Sequence, residues 1–311
     1  MIMANSHNDE MQGNDALELA LGLGYGFIEI DTYLARNPDS AQSDENKGTE
    51  LNRNFTLLAG HDVKDLKSSR TLKKYYFDPL LNILDKNNKN RTLVSNGTGN
   101  VWKGIYKNDS DKEVTIFIDM KRDGELIWPY LLDLLQPFIS KDYLTYYNVS
   151  SSEWSYGPLK IIGTGLTPLN RVYYSSIRYV FYDAPLTKLN KPFKIEKSLD
   201  GPEVNNIEWD KTISPIASSK LPLKYIISTF FSFKSNTNKG NCKLKSIHLI
   251  AREKGIQSRW WGYSNNPNWL KVKLWNVLRN SGQDILNTDY LIQSKNWLND
   301  REKQTRNLYK C

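Results

Sequence analysis

Two carboxylates two residues apart interrupt an apolar run. In GFIEIDTYL, residues 26–34, Phe27, Ile28, Ile30, Tyr33 and Leu34 read as a buried strand, yet Glu29 and Asp31 lie inside it. Strand positions two apart share a face, so both carboxylates point the same way. Burying two unpaired carboxylates side by side is costly. A divalent cation would offset that cost: Mg2+, or alternatively Ca2+, both of which favour oxygen ligands. The competing reading is a strand end with both groups in water.

The same grammar recurs. VTIFIDMK, residues 114–121, is an apolar strand that ends in Asp119 and Lys121, again two apart. Asp119 is a third candidate ligand, and Lys121 a cation for a phosphate oxygen. HND at 7–9 closes a first strand, and LLAGHD at 57–62 closes a third. The chain has 3 histidines. His7 and His61 fall at these strand ends, whereas His248 lies in a predicted helix and reads as structural. Histidine suits proton transfer near neutral pH. Two histidines, three carboxylates and a lysine therefore predict phosphodiester cleavage. One histidine activates the nucleophile and the other protonates the leaving oxygen. A cation and Lys121 stabilise the crowded negative charge. Arg259, Trp260 and Trp261 end a later strand, where aromatics line a lipid or alcohol pocket or, equally, pack the barrel. Asn287 and Asp289 are further candidates for that rim.

These residues need strands that end on one side. Strands are expected at 2–6, 26–31, 56–60, 114–120, 159–163, 178–183, 256–261 and 284–287. Helices are expected at 14–23, 71–84, 125–138, 241–254 and 268–280. Alternation of this kind implies βα units and a parallel sheet. Eight such strands in 311 residues predict an α/β fold, a (β/α)8 TIM barrel forming a single domain over 1–311. An open doubly wound sheet is the alternative. Polar stretches at 36–54 and 86–112 read as surface insertions. Region 187–240 has no clear period. GLGYG at 22–26 imitates a dinucleotide loop, but its glycines end a helix and lead into a strand, as a cap does.

Composition narrows the class. Hydrophobic residues make up 39%, with 9 Trp, 18 Tyr and 10 Phe, enough for a large core. The net charge of +8 favours anionic partners. No Lys/Arg block is dense enough for a nucleic-acid arm, so no nucleic-acid partner is expected. The 2 cysteines, Cys242 and Cys311, make no disulfide framework and no zinc motif. No apolar run is long enough to span a bilayer. No targeting signal is legible either. The compartment and oligomeric state stay open; loss of an upstream segment would fit the secretory pathway or membrane association.

SHND with the following helix, GYGFIEIDTYL, LLAGHD, RTLKKYYFDPLL and FIDMKRDGE together resemble the phospholipase C-like phosphodiesterase superfamily. IQSRWWGYSNNP and WNVLRNSGQDILNTDYL resemble late strands of its fungal group, the altered inheritance of mitochondria protein 6 family. The likeness covers nearly the whole chain. It implies a barrel like that of glycerophosphodiester phosphodiesterases and sphingomyelinase D. It also implies His7 and His61 as catalytic histidines and Lys121 as a phosphate contact. Glu29, Asp31 and Asp119 become the ligands of a metal, normally Mg2+. Asn8 follows His7 where glycerophosphodiesterases usually have Arg. Asp119 stands where they usually have Glu, as in sphingomyelinase D. Asn8, Arg259, Trp260 and Trp261 are the expected substrate-binding residues. The implied substrate is a phospholipid or glycerophosphodiester, with peripheral membrane contact. A non-catalytic lipid- or phosphate-binding barrel is the runner-up.

Overall fold

The structure is a computed structural model that describes residues 1–36, 54–89, 102–231, 239–263 and 265–302. Residues 37–53 and 90–101 of the expected insertions at 36–54 and 86–112 lie outside the described residues. The chain divides into two compact units, Met1 with Ser6–Val180, and Ile2–Asn5 with Phe181–Cys311.

In the first unit, the last residue of β1 (Ile2–Ser6) leads through a short turn into α1 (Ala16–Leu23) and then β2 (Tyr25–Arg36). Gly24 ends α1 at φ 87°, a left-handed conformation, and its N–H bonds the carbonyls of Ala20 and Leu21. Glycine reaches that conformation without steric cost, so GLGYG is a helix cap. After β3 (Phe55–Ala59) come α2 (Asp78–Asn87), β4 (Val114–Met120) and α3 (Gly124–Ile139). A small antiparallel sheet, β5 (Tyr146–Asn148), β6 (Glu153–Ser155) and, further on, β8 (Ile177–Arg178), flanks β7 (Leu159–Gly165) and α4 (Leu169–Tyr174) in sequence.

Strands β2, β4 and β7 are parallel neighbours. Their Ile and Phe side chains supply the core, with Ile28, Ile30, Ile116, Phe117, Ile118 and Ile161 fully buried. Each such side chain contributes roughly 1.5–3 kcal/mol. Apolar residues on both faces suit a parallel sheet covered by helices.

The second unit contains most of β1 and β9 (Val180–Pro185), then the two-stranded β10 (Phe193–Ile195) and β11 (Val204–Ile207). After these come β12 (Ile216–Lys220), α5 (Leu223–Phe231) and α6 (Lys239–Glu253). The chain continues with β13 (Gln257–Trp261), α7 (Asn268–Ser281), β14 (Leu286–Thr288) and α8 (Leu291–Glu302). Strand β12 pairs in parallel with β9 and β13. Strands β1, β2, β4, β7, β9, β12, β13 and β14, with helices between them, are those of a (β/α)8 barrel, the fold class expected.

Two of the expected assignments change. The strand at 56–60 is not a barrel strand: β3 runs antiparallel to β2, from Thr32↔Ala59 to Arg36↔Phe55. A parallel return needs a crossover, usually a helix, and the polar stretch at 36–54 has no helical apolar period. The missing parallel strand is β12, inside the unassigned 187–240 region. Its IASSK sequence lacks alternation because Ser218 is buried, where its hydroxyl accepts a hydrogen bond from Arg259 Nε. LKYIISTFF in the same region is helical.

Candidate active site

The site is built on the middle of β2, late in the stretch that pairs with β4, and on the C-terminal end of β4. Their register sets Asp31 directly across from Asp119, and Glu29 across from Phe117. Ligand oxygens of Glu29, Asp31 and Asp119 lie within 4.8 Å of one another. Asp31 is fully buried and Glu29 is 5% exposed, so neither is a solvated strand end.

Lys121 leans back over this pair. Its Nζ is 2.8 Å from Asp31 Oδ2 and 2.5 Å from Asp119 Oδ2. Burial works against the ammonium, but Asp119 and Asp31 outweigh it and hold the lysine charged well above its ordinary pKa. Burial, then the Asp119 charge, push the Asp31 carboxyl up to about 6 despite Lys121. One lysine therefore leaves this carboxylate cluster short of positive charge.

The antiparallel β3 explains how His61 reaches the site. The Gly60 N–H bonds the Asp31 carbonyl at 3.1 Å, which ends the hairpin pairing beside the carboxylates. His61 Nδ1 then lies 2.7 Å from Asp31 Oδ2. A carboxylate only accepts, so Nδ1–H donates and Nε2 is the atom left for proton transfer. The Tyr33 hydroxyl donates to the His61 carbonyl at 3.1 Å and steadies that turn. The misread strand direction thus still delivered its histidine to the carboxylates.

Gly165, at the end of β7, makes room for Asp119. Its φ is +64°, and a Cβ there would sit 1.9 Å from Asp119 Oδ1. Only glycine meets both requirements.

His7 and Asn8 form the turn after β1, half-exposed. Asn8 takes the left-handed conformation at φ 46°, ψ 54°, which Asn tolerates better than most residues. The next two residues have no role in the sequence reading, although Asp9 belongs to the HND motif. Asp9 and Glu10 are buried, at 0% and 1% exposure. Glu10 Oε2 accepts the Asp31 N–H at 3.2 Å, and Glu10, Asp31 and His61 also have ligand atoms within 4.8 Å of one another. Burial, then Asp31, push the Glu10 carboxyl up to about 9. Arg70 pins this turn by donating to the Glu10 carbonyl at 2.8 Å and to the Gly13 carbonyl. The available signal was an acidic pair directly after a strand end. A single short turn carries no hydrophobic period to flag it.

The donor set fits a hard cation: three buried or half-buried carboxylates converge, and the fully buried Asp31 Oδ1 has no hydrogen-bond partner. Oxygen donors of this kind suit Mg2+ or Ca2+.

The remaining expected residues belong to the second unit. Arg259 is 1% exposed, with Nε 2.7 Å from the Ser218 hydroxyl and a guanidinium nitrogen 3.3 Å from Asp183 Oδ2. It also donates to Asn287 Oδ1 at 3.4 Å, which Asn5 reaches at 2.7 Å. Trp260, one position on, points to the opposite face of β13 and is fully buried; its indole donates to His248 Nε2 at 3.1 Å. That packing against α6 sets Trp260 apart from the strand-end face. Trp261 is 37% exposed at the end of β13.

His248, Ser258 and Asp284 imitate a nucleophilic triad. The order of bonds excludes it. Trp260 fills His248 Nε2, His248 Nδ1 is 2.8 Å from Ser258 Oγ, and Ser258 Oγ donates to Asp284 at 2.7 Å. A serine nucleophile needs its proton aimed at the histidine. Here it is aimed at the aspartate, so the expected structural role of His248 holds.

A family model described as the AIM6-like phosphodiesterase domain matches residues 1–183. The altered inheritance of mitochondria protein 6 homolog of Arthroderma benhamiae is 32% identical over 95% of this chain and 83% of that protein. Altered inheritance of mitochondria protein 6 of Eremothecium gossypii is 28% identical over 92% of this chain and 67% of that protein. A crystal structure of a glycerophosphodiester phosphodiesterase from Parabacteroides distasonis aligns with a TM-score of 0.44 and 13% identity, over 96% of this chain and 98% of that one. On the family model and the Arthroderma relative, the chain belongs to the altered inheritance of mitochondria protein 6 family, whose domain is AIM6-like phosphodiesterase.

Proposed function

We propose that this protein is a metal-dependent phosphoric diester hydrolase acting on a phospholipid or glycerophosphodiester. The observation that supports this most is the convergence of Glu29, Asp31, Asp119, Lys121 and His61 on one strand-end cluster. Glu29, Asp31 and Asp119 are the residues that would hold Mg2+, with Ca2+ as the alternative. When bound, the cation supplies Lewis-acid polarisation of a phosphate oxygen.

The chain's own groups divide the remaining work. Lys121 offers its ammonium to a second phosphate oxygen, where it offsets charge that grows in the transition state. Asp31 fixes the His61 tautomer so that Nε2 faces the reacting oxygens, as a carboxylate does for any paired histidine. Histidines His7 and His61 take the two proton-transfer roles, one at the nucleophile and one at the leaving oxygen. The nucleophile is water or, where the substrate carries one, a neighbouring hydroxyl; the second route gives a cyclic phosphate first.

A panel of phospholipids, lysophospholipids and glycerophosphodiesters, incubated with the protein and Mg2+, tests the reading. At least one diester should release its alcohol or headgroup. His7→Ala and His61→Ala should each lower that rate by roughly 100-fold or more. Turnover that survives both substitutions contradicts the mechanism. Binding of a diester without turnover under any metal condition would instead favour a non-catalytic barrel.

A further inference from the structure

Six of the nine exposed large apolar side chains described in the second unit follow the C-terminal ends of its strands. These are Leu223 and Ile227 after β12, Trp261 and Trp269 at and after β13, and Tyr290 and Ile292 after β14. Their exposures run from 37% to 66%. A scatter of single apolar residues needs no explanation; a concentration at one end of the strands does.

The three segments are laced into one surface. The Leu221 N–H bonds the Trp261 carbonyl at 2.8 Å. Asn265 Nδ2 donates to Asp289 at 2.9 Å, and Gln293 Nε2 to Asn268 Oδ1 at 2.8 Å. Lys271 Nζ sits 3.3 Å from the centre of the Tyr290 ring. Leu223 and Ile227 are one helical turn apart on α5, so they share a face.

Positive charge predominates around them. Residues 219–227, 261–273 and 288–293 contain four lysines and one acid, Asp289. Lys220 and Lys224 are exposed and Lys273 is half-buried, whereas Lys271 is buried against the Tyr290 ring, so three lysines face outward against Asp289. Tryptophan and tyrosine beside lysines match the boundary between lipid tails and headgroups, and basic side chains there favour an anionic leaflet.

We infer that this surface docks the protein onto an anionic phospholipid bilayer. The inference deepens the reading above and rests on it, because a phospholipid substrate lies in such a bilayer. Loops at strand C-termini are also where a (β/α)8 fold keeps its chemistry.

The test is flotation of the full chain with phosphatidylcholine vesicles, with and without phosphatidylserine, beside turnover of a water-soluble glycerophosphodiester. The protein should float with the phosphatidylserine vesicles, and high salt should weaken that. A triple variant, Leu223→Ser, Ile227→Ser and Trp269→Ser, should bind them roughly tenfold more weakly and keep its rate on the soluble diester. Lys220→Glu with Lys224→Glu should remove the preference for phosphatidylserine. Vesicle binding unchanged in the triple variant overturns the proposal. So does a wild type that floats with neither vesicle, or a triple variant whose only change is conversion of a dimer to a monomer in gel filtration. Soluble turnover without vesicle binding would sink docking and leave the catalytic reading standing; vesicle binding lost in the triple variant with no turnover anywhere would do the reverse.

Discussion

Asp31 and Asp119 stand opposite each other in register on adjacent parallel strands, and Lys121 Nζ bridges their Oδ2 atoms. With Glu29 the cluster sets three carboxylates, Asp31 fully buried, against one ammonium, so added positive charge is favoured there. Mg2+ binding should therefore stabilise the fold. We expect Mg2+ to raise the melting temperature of the wild type and to leave Asp119→Asn nearly unmoved, in a thermal unfolding series against metal concentration. Equal shifts in both proteins would remove Asp119 from the cation site.

The carboxylates were legible in the sequence because period-two spacing on β2 and β4 maps directly onto a face. Glu29, Asp31, Asp119 and Lys121 each needed only a strand assignment. His61 was reached for the wrong reason: a strand direction depends on the connection, and LLAGHD reads the same either way. Ser218 on β12 was hidden because its polarity is answered by Arg259, a partner 41 residues away. Glu10 was hidden because a single short turn has no period, and its importance comes from the distant Asp31 N–H. Short-range pattern carries strand faces well and tertiary pairing poorly.

Gly165 tests whether the backbone really shapes the cation site. A methyl group there would collide with Asp119 Oδ1, and the left-handed φ adds strain. Gly165→Ala should weaken Mg2+ affinity by roughly 10–100-fold, as changes behind metal ligands do, while the circular dichroism spectrum stays native. Calorimetric titration measures this, and unchanged affinity would show that Asp119 is not held by that contact.

Asp9 gives a pH signature. Burial pushes its carboxyl from 3.8 up to about 6, against hydrogen bonds from Ser6 and Tyr76. A raised folded-state pKa means the fold prefers the protonated form. Its contribution is complete below about pH 3.8 and is lost as pH rises through about 6. Asp9→Asn stays neutral throughout. The melting temperature of Asp9→Asn relative to wild type should thus climb by roughly 2–4 °C between pH 4 and pH 7. A flat or falling difference would contradict the sign.

Ser258 separates structure from chemistry. If the His248–Ser258–Asp284 chain only supports β13, Ser258→Ala should leave diester turnover unchanged and cost roughly 1–3 kcal/mol in denaturant unfolding, because buried partners lose their bonds. Loss of turnover without loss of stability would give the serine a catalytic part.

The most direct measurement is a 31P NMR time course of the wild type with Mg2+ and a panel of lysophospholipids and glycerophosphodiesters, repeated after chelation. The account predicts that at least one diester signal is replaced by a phosphomonoester or a cyclic phosphate, that chelator stops this, and that His61→Ala does too. Diester signals that persist for every substrate with Mg2+ present, or that vanish equally in chelator, would contradict it.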